Sequence, residues 1–99
     1  MTAKILIKRR FKKGKPKEII SLLNELRTRA MDQPGYISGM TMVGHNDPQL
    51  FLVIGTWRDI EDWLRWKSSG VRHSLEASLE IYQEGETNYE EYVLGPPHS

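Results

Sequence analysis

The sequence predicts an α+β fold in which helices pack against one face of a four-stranded antiparallel sheet, in the order βαββαβ. Four short runs are rich in β-branched and aromatic residues, namely Ala3–Phe11, Tyr36–Gly44, Leu50–Trp57 and Tyr89–Leu94. The segments that follow the first and third runs carry apolar residues at helical spacing. Only a turn separates the second run from the third, which is typical of an antiparallel hairpin.

The first strand is indicated by Ile5, Leu6 and Ile7, whose side chains favour extended backbone. Pro16 suits the first turn of the following helix, because its missing N–H costs no hydrogen bond there. One apolar stripe at helical spacing follows, formed by Ile19, Leu22, Leu23, Leu26 and Ala30. The segment Gln33-Pro34-Gly35 should then end this helix.

The next two strands are predicted to form the hairpin. Gly39 interrupts the second strand and indicates either a bulge or a close approach of another group. The segment from His45 to Gln49 has the composition of a turn. Leu50–Trp57 is the most hydrophobic run of the chain, so we expect a central strand that is buried on both faces.

The second helical region is predicted to be broken. Asp59 is a good helix N-cap, and Glu61 and Asp62 follow where the helix dipole favours negative charge. Gly70 is expected to end this helix. A further helix should bury the face formed by Val71, Leu75, Ser78, Leu79 and Tyr82. After the last strand, Gly95-Pro96-Pro97 should stop the sheet.

The length of 99 residues allows one domain, so we assign residues 1–99 to a single domain, with a core over about 3–94 and a C-terminal tail over 95–99. The chain has no cysteine, which excludes disulfides and cysteine metal sites. No apolar stretch approaches the roughly 18 residues that span a bilayer. Because Lys8-Arg9-Arg10 follow too short an apolar run for a signal peptide, we expect a cytoplasmic protein without a membrane partner.

The net charge of +1 favours neither nucleic acid nor a membrane surface as a partner. Basic residues crowd residues 8–17, and acidic residues crowd residues 84–91. A basic run can bind phosphate groups, but a solvated strand end is its more common role. We therefore expect the two segments to lie beside each other across the sheet.

Helices on one face of such a sheet give the split βαβ, or ferredoxin-like, arrangement. The other face is then open, and its residues are more apolar than a surface exposed to water usually is. We therefore expect a second copy of the chain to cover that face, which makes the protein a homodimer.

The segment from Trp57 to Ser69, Trp-Arg-Asp-Ile-Glu-Asp-Trp-Leu-Arg-Trp-Lys-Ser-Ser, resembles part of the antibiotic biosynthesis monooxygenase superfamily. In that family a Trp or Tyr ends the third strand, an acidic helix start follows, and a Ser precedes the next helix. Pro34-Gly35-Tyr36 and the order of elements from Ile5 to Leu94 also fit. The resemblance implies a dimeric α/β barrel closed by two sheets, with a pocket in each protomer between sheet and helices. Members include oxygenases that use no cofactor and act on phenols and quinols, and enzymes that degrade haem.

The resemblance can be followed residue by residue into two branches. The haem-degrading branch uses an Asn in the first strand, a Trp on the second helical segment and a haem-ligating His ten residues later. Trp66 matches the Trp, but the Asn position falls on Ile7 and the His position on Glu76, which disfavours haem degradation. The quinol-oxygenase branch often has a His shortly after the Ser, and that position falls on Val71.

Four residues are candidates for a substrate pocket: Trp66, Ile7, Arg9 and Val71. Trp66 lies about 100° from the centre of its helix's apolar face, so it is expected at a rim, as a pocket wall or as ordinary packing. Arg9 shares a strand face with Ile7 by alternation. It either orients an anionic or phenolate substrate or forms a surface salt bridge.

Other conspicuous side chains have simpler roles. Lys8 and Arg10 should point to the opposite sheet face, with Glu90 or Glu91 as partners. Two further tryptophans, at positions 57 and 63, are expected in the core. The three histidines, His45, His73 and His98, are too scattered along the predicted elements to bind a metal together.

Two functions of different classes remain. The first is a small oxygenase in which an electron-rich phenol or quinol reacts with O₂ in a dry apolar pocket. The second is a dimeric binding module that holds a small aromatic molecule without catalysis. In both cases we expect no metal, flavin or haem, because the sequence shows neither ligand clusters nor phosphate-binding glycines.

Overall fold

The computed structural model describes residues 1–95 and confirms the predicted order of elements. The strands are β1 (Ala3–Arg10), β2 (Tyr36–Val43), β3 (Leu50–Trp57) and β4 (Asn88–Val93), and the helices are α1 (Pro16–Met31), α2 (Ile60–Lys67) and α3 (Gly70–Glu80). The described residues leave out Pro96, Pro97, His98 and Ser99, so the predicted tail is described only at Gly95. Among the residues described, no helix is both long and apolar enough to cross a membrane.

The strands form one antiparallel sheet in the order β2-β3-β1-β4. The predicted hairpin of β2 and β3 is confirmed, and its register shifts between Tyr36 and Ser38. The bulge therefore precedes Gly39. Gly39 is instead the point of close approach, because a Cβ atom there would lie 2.7 Å from the Tyr36 hydroxyl.

The strand β1 alternates between the two faces of the sheet. Its buried residues Ala3, Ile5, Ile7 and Arg9 face the helices, whereas Lys4, Leu6, Lys8 and Arg10 occupy the opposite, open face. The core lies between the sheet and the helices, and its most completely buried side chains are those of Trp63, Phe11, Ile5 and Leu79. The core positions predicted for Trp57 and Trp63 are confirmed.

The open face of β3 is less buried than predicted. Residues 50–54 are only partly buried, whereas Gly55, Thr56 and Trp57 are buried. The prediction of a strand buried on both faces is therefore wrong for its first part, because the helices cover only one side of the sheet.

The junction between α2 and α3 also differs from the prediction. Gly70 begins α3 rather than ending α2, because Ser69 is the N-cap and its hydroxyl accepts the Arg72 backbone N–H at 3.2 Å. This start turns Arg72 toward the core, whereas Val71 is exposed. Asp59 is the N-cap of α2 as predicted, but its carboxylate accepts a hydrogen bond from the N-terminal ammonium group.

The basic strand β1 and the acidic strand β4 are neighbours, as predicted. Lys8 Nζ lies 3.3 Å from Glu90 Oε2 on the open face. Arg10 pairs with Asp47 in the β2–β3 turn, so the predicted partnership of Arg10 with Glu90 or Glu91 is wrong. Glu91 follows Glu90 along a strand and therefore points to the helix side, where it accepts hydrogen bonds from α2.

Candidate functional site

A cavity lies between the helix side of the sheet and the three helices. The space available to the centre of a water molecule is about 80 Å³, several times what a single bound water needs. Every strand and helix except β4 contributes to its walls, which include Ile5, Ile7, Arg9, Leu23, Leu26, Arg27, Tyr36, Val53, Trp57, Trp63, Trp66 and Arg72. A mainly apolar wall with a few polar groups is typical of small-molecule sites.

Four aromatic side chains form one part of this wall. Tyr36 and Trp57 meet edge to face with ring centroids 5.3 Å apart, and Trp57 lies 6.0 Å from Trp63. Trp66 also lines the cavity, but only 4% of it is exposed. Trp66 therefore has both of the roles considered for it, pocket wall and packing. It is buried rather than at a rim, because the buried face of α2 is formed by Asp62, Trp63 and Trp66 together.

Two buried arginines form the polar part of the wall, and one carboxylate holds both. Arg9 Nη2 donates hydrogen bonds to both oxygens of Glu76, at 2.9 and 2.8 Å. Arg72 Nη2 lies 3.3 Å from Glu76 Oε2 and donates to the Tyr89 hydroxyl at 2.9 Å. The exposed fractions are 3% for Arg9, 5% for Arg72 and 12% for Glu76. The salt bridge considered for Arg9 thus exists, but it is buried rather than on the surface.

The hydrogen-bonding capacity of Arg9 is incomplete. Its Nε atom is buried and has no hydrogen-bond partner among the described residues. A buried donor without an acceptor costs free energy, and buried polar groups in native proteins nearly always have a hydrogen-bond partner. With two guanidinium groups and one carboxylate, this cluster also has one positive charge in excess.

A second group of contacts fixes Arg72 from the side of α2 and β4. The Arg72 guanidinium lies 5.1 Å from the Trp63 ring centroid and 5.3 Å from that of Tyr89. Trp63 Nε1 and Lys67 Nζ donate to Glu91 Oε2, at 2.6 and 2.9 Å. Both hydrogen bonds lower the pKa of the Glu91 carboxyl, and the bond from Trp63 has the larger effect.

Three of the four predicted pocket residues, Ile7, Arg9 and Trp66, line the same cavity. Val71 does not line it, since its side chain is 45% exposed on the outer side of α3. Arg72 is a wall residue that was not predicted from the sequence. The signal was present, because Arg72 and Glu76 are four residues apart and Arg72 lies seven residues before the buried Leu79, on the same helix face.

Within residues 1–95, no three histidine, aspartate or glutamate side chains are grouped closely enough to hold a metal ion. His73 lies on the exposed side of α3, where its ring is near the Ser69 carbonyl. That the protein works without metal, flavin or haem stays a prediction.

Solved structures share this fold over nearly the whole chain. SnoaB, a cofactor-independent oxygenase from Streptomyces nogalater, has a TM-score of 0.83 and 12% identity, covering 98% of this chain and 96% of that one. A conserved protein from Methanosarcina mazei has a TM-score of 0.86 and 17% identity, covering 93% and 91%. A Nitrosomonas europaea protein proposed to be an antibiotic biosynthesis monooxygenase has a TM-score of 0.85 and 11% identity, covering 99% and 94%.

The sequence itself supplies the assignment to a family. None of the curated proteins matches this chain, and identities as low as those of the solved structures show a common fold alone. The family model described as antibiotic biosynthesis monooxygenase, however, matches residues 2–77, which is most of the chain. The resemblance found around Trp57–Ser69 is therefore confirmed, and the chain belongs to the antibiotic biosynthesis monooxygenase family.

Proposed function

We propose that the protein is a cofactor-independent monooxygenase that acts on a small phenol- or quinol-like aromatic substrate. The observation that carries this proposal is a cavity with walls of Trp57, Trp63 and Trp66 and one polar side formed by Arg9 and Arg72. The family supports oxygenase chemistry, and the similar fold of SnoaB, itself a cofactor-independent oxygenase, agrees with it.

In such a reaction the substrate supplies the electrons. With a phenol, one ring hydrogen and the hydroxyl hydrogen are lost, one oxygen atom of O₂ becomes the second carbonyl oxygen of a quinone, and the other oxygen atom leaves as water with those two hydrogens. The protein then has to exclude bulk water, hold the ring beside O₂ and favour loss of a substrate proton. The tryptophan walls serve the first two tasks, and the arginines serve the third.

Haem degradation receives no support from the geometry. Ile7 is buried and offers no hydrogen bond to a ligand on iron. Glu76 stands at the position of the haem-ligating His, and its carboxylate is already bound by Arg9 and Arg72.

We also propose that the working form is a cytoplasmic homodimer in which a second copy covers the open sheet face. Leu6 and Ile54 lie opposite each other at the centre of this face, with Met40 on the far side of Ile54. Met40 is more than half exposed in the single chain. Covering these side chains gains roughly 25 cal/mol for each Å² of apolar surface, less the cost of association.

Oxygen uptake tests the proposal. Purified protein, treated with a chelator and given no reductant, should consume one O₂ for each substrate molecule with at least one member of a panel of quinols. Leu64→Ala, on the outer side of α2, should retain this activity, whereas Trp66→Phe should lower it. If the protein binds quinols of the panel but consumes no O₂ with any of them, the alternative of a binding module without catalysis is favoured.

A further inference from the structure

The cavity has an unbalanced set of charges. Among the described residues that line it, three are arginines, at positions 9, 27 and 72, and none is acidic. Glu76 reaches Arg9 and Arg72 from behind the cavity wall and neutralises only one of these two buried charges. A cavity of this kind favours an anion, because a single negative charge would balance the positive charge that Glu76 leaves on the pair of buried arginines.

The position of Arg9 makes this site directional. Arg9 lies in β1, which is held between β3 and β4, and its Nη2 is tied to both oxygens of Glu76. The same side chain keeps a buried Nε donor with no acceptor among residues 1–95. An oxyanion is the acceptor that forms the strongest hydrogen bond with such a group.

We infer that the cavity binds its aromatic ligand as an oxyanion, with the charged oxygen at Arg9 and Arg72 and the ring against Trp57, Trp63 and Trp66. This inference rests on the proposed function and adds the ionisation state of the ligand. It assigns Glu76 the role of a positioning residue, which aligns the two arginines and also limits how strongly they attract an anion.

Three single-ring probes of similar size separate the ring from the charge. 4-Nitrophenol is colourless as the phenol and yellow as the phenolate, so its absorbance reports its ionisation directly. 4-Nitroanisole has the same ring but no acidic proton, and 4-nitrobenzoate is a permanent carboxylate. Binding is measured by calorimetry with all three, and the spectrum of 4-nitrophenol is recorded below the pH at which the free probe ionises.

The wild-type protein should bind 4-nitrophenol as the yellow phenolate and more tightly than 4-nitroanisole. Arg9→Met should weaken phenolate binding by about tenfold or more, the loss expected for one charge-assisted hydrogen bond. It should leave the affinity for 4-nitroanisole within about twofold. The matched control is Arg10→Met, the same change at the next residue, whose side chain is on the open face and pairs with Asp47.

Glu76→Gln distinguishes the anion site from a merely structural ion pair. This variant removes one negative charge but keeps an oxygen that can accept from the arginines. It should bind the phenolate more tightly than the wild type, provided that circular dichroism shows a folded protein. A structural role alone predicts equal or weaker binding, which would contradict the inference.

The remaining outcomes tell the inference apart from the proposed function. If 4-nitrophenol stays colourless and binds no better than 4-nitroanisole, the aromatic site stands and the oxyanion site is refuted. If only 4-nitrobenzoate binds, the oxyanion site is supported and a phenolic substrate is contradicted. If none of the probes binds, the proposed aromatic site fails, and the inference fails with it.

Discussion

Trp66 combines burial in the core with a place in the cavity wall, so its removal should affect both stability and binding. Because only 4% of it is exposed, Trp66→Ala should lower the free energy of unfolding by about 3–5 kcal/mol. Affinity for a planar ring should also fall, by a further stacking contribution of about 0.5–1.5 kcal/mol. Urea denaturation and calorimetry with 4-nitroanisole measure the two effects.

The control for this change is Leu64→Ala, on the same helix but on its outer face. Its effect on unfolding should stay within about 0.5 kcal/mol. A Trp66→Ala variant that loses this stability but binds 4-nitroanisole as tightly as the wild type would show that Trp66 only packs in the core.

Glu91 makes the stability of the fold depend on pH. Its hydrogen bonds to Trp63 and Lys67 hold its pKa in the folded protein below the ordinary glutamate value of 4.5. These bonds therefore stabilise the fold fully above about pH 4.5, and their contribution is lost as the pH falls through the lowered pKa. Because about a third of this side chain is exposed, solvent screening limits the contribution to about 1 kcal/mol.

We expect Glu91→Gln to reduce stability at pH 7 and to narrow the difference between thermal melts at pH 7 and pH 3. Glu25→Gln, on the exposed part of α1, serves as the control and should reproduce the wild-type difference. An unchanged pH dependence in Glu91→Gln would contradict this account of the residue.

At the scale of elements, the turn from α1 into β2 is held by a close contact. Gly35 has φ +86°, and a Cβ atom there would clash with the Asp62 carboxylate on α2. Gly85 has nearly the same backbone angle, φ +87°, but no heavy atom lies within 4 Å of its Cβ position. A side chain would therefore strain the backbone at both glycines, but only at Gly35 would it also clash with a neighbouring residue.

Gly85→Ala should cost about 1 kcal/mol, the penalty of a left-handed conformation for a residue with a side chain. Gly35→Ala should cost about 1–3 kcal/mol more, because it also displaces Asp62 and with it α2. Denaturant unfolding of both variants gives the comparison. Equal losses would mean that α2 moves away from the turn without cost.

At the scale of the whole molecule, the proposed homodimer makes the open sheet face the surface that two copies share. Ile54 lies near its centre, between Leu6 and Met40 on the neighbouring strands. Ile54→Lys should give a folded monomer, because a charge buried between two such faces has no partner. Light scattering at micromolar concentration measures the mass, and Leu64→Lys on the helix side should remain dimeric. A monomeric wild-type protein would defeat the proposal.

Much of the architecture follows from local patterns. Alternation along β1 placed Ile7 and Arg9 on one face and Lys8 and Arg10 on the other, and the structure agrees. The period of α1 and the turn between β2 and β3 were also predictable, because each depends on residues close together in the chain. The motif around Trp57–Ser69 indicated the family, and the match of the family model over residues 2–77 confirms it.

Only the tertiary structure decided the polar side of the cavity. Arg9 meets Glu76 across a sequence separation of 67 residues, a pairing that no local pattern encodes. The N-cap at Ser69 fixes where α3 starts and therefore which of its residues face the core. Successive residues in a helix point about 100° apart, so Arg72 faces inward while its neighbour Val71 is exposed. The sequence by itself therefore determined which elements form and which faces pair, because those depend on periodicity. The contacts between side chains on different elements depend on how the elements are packed together, and these contacts create the site.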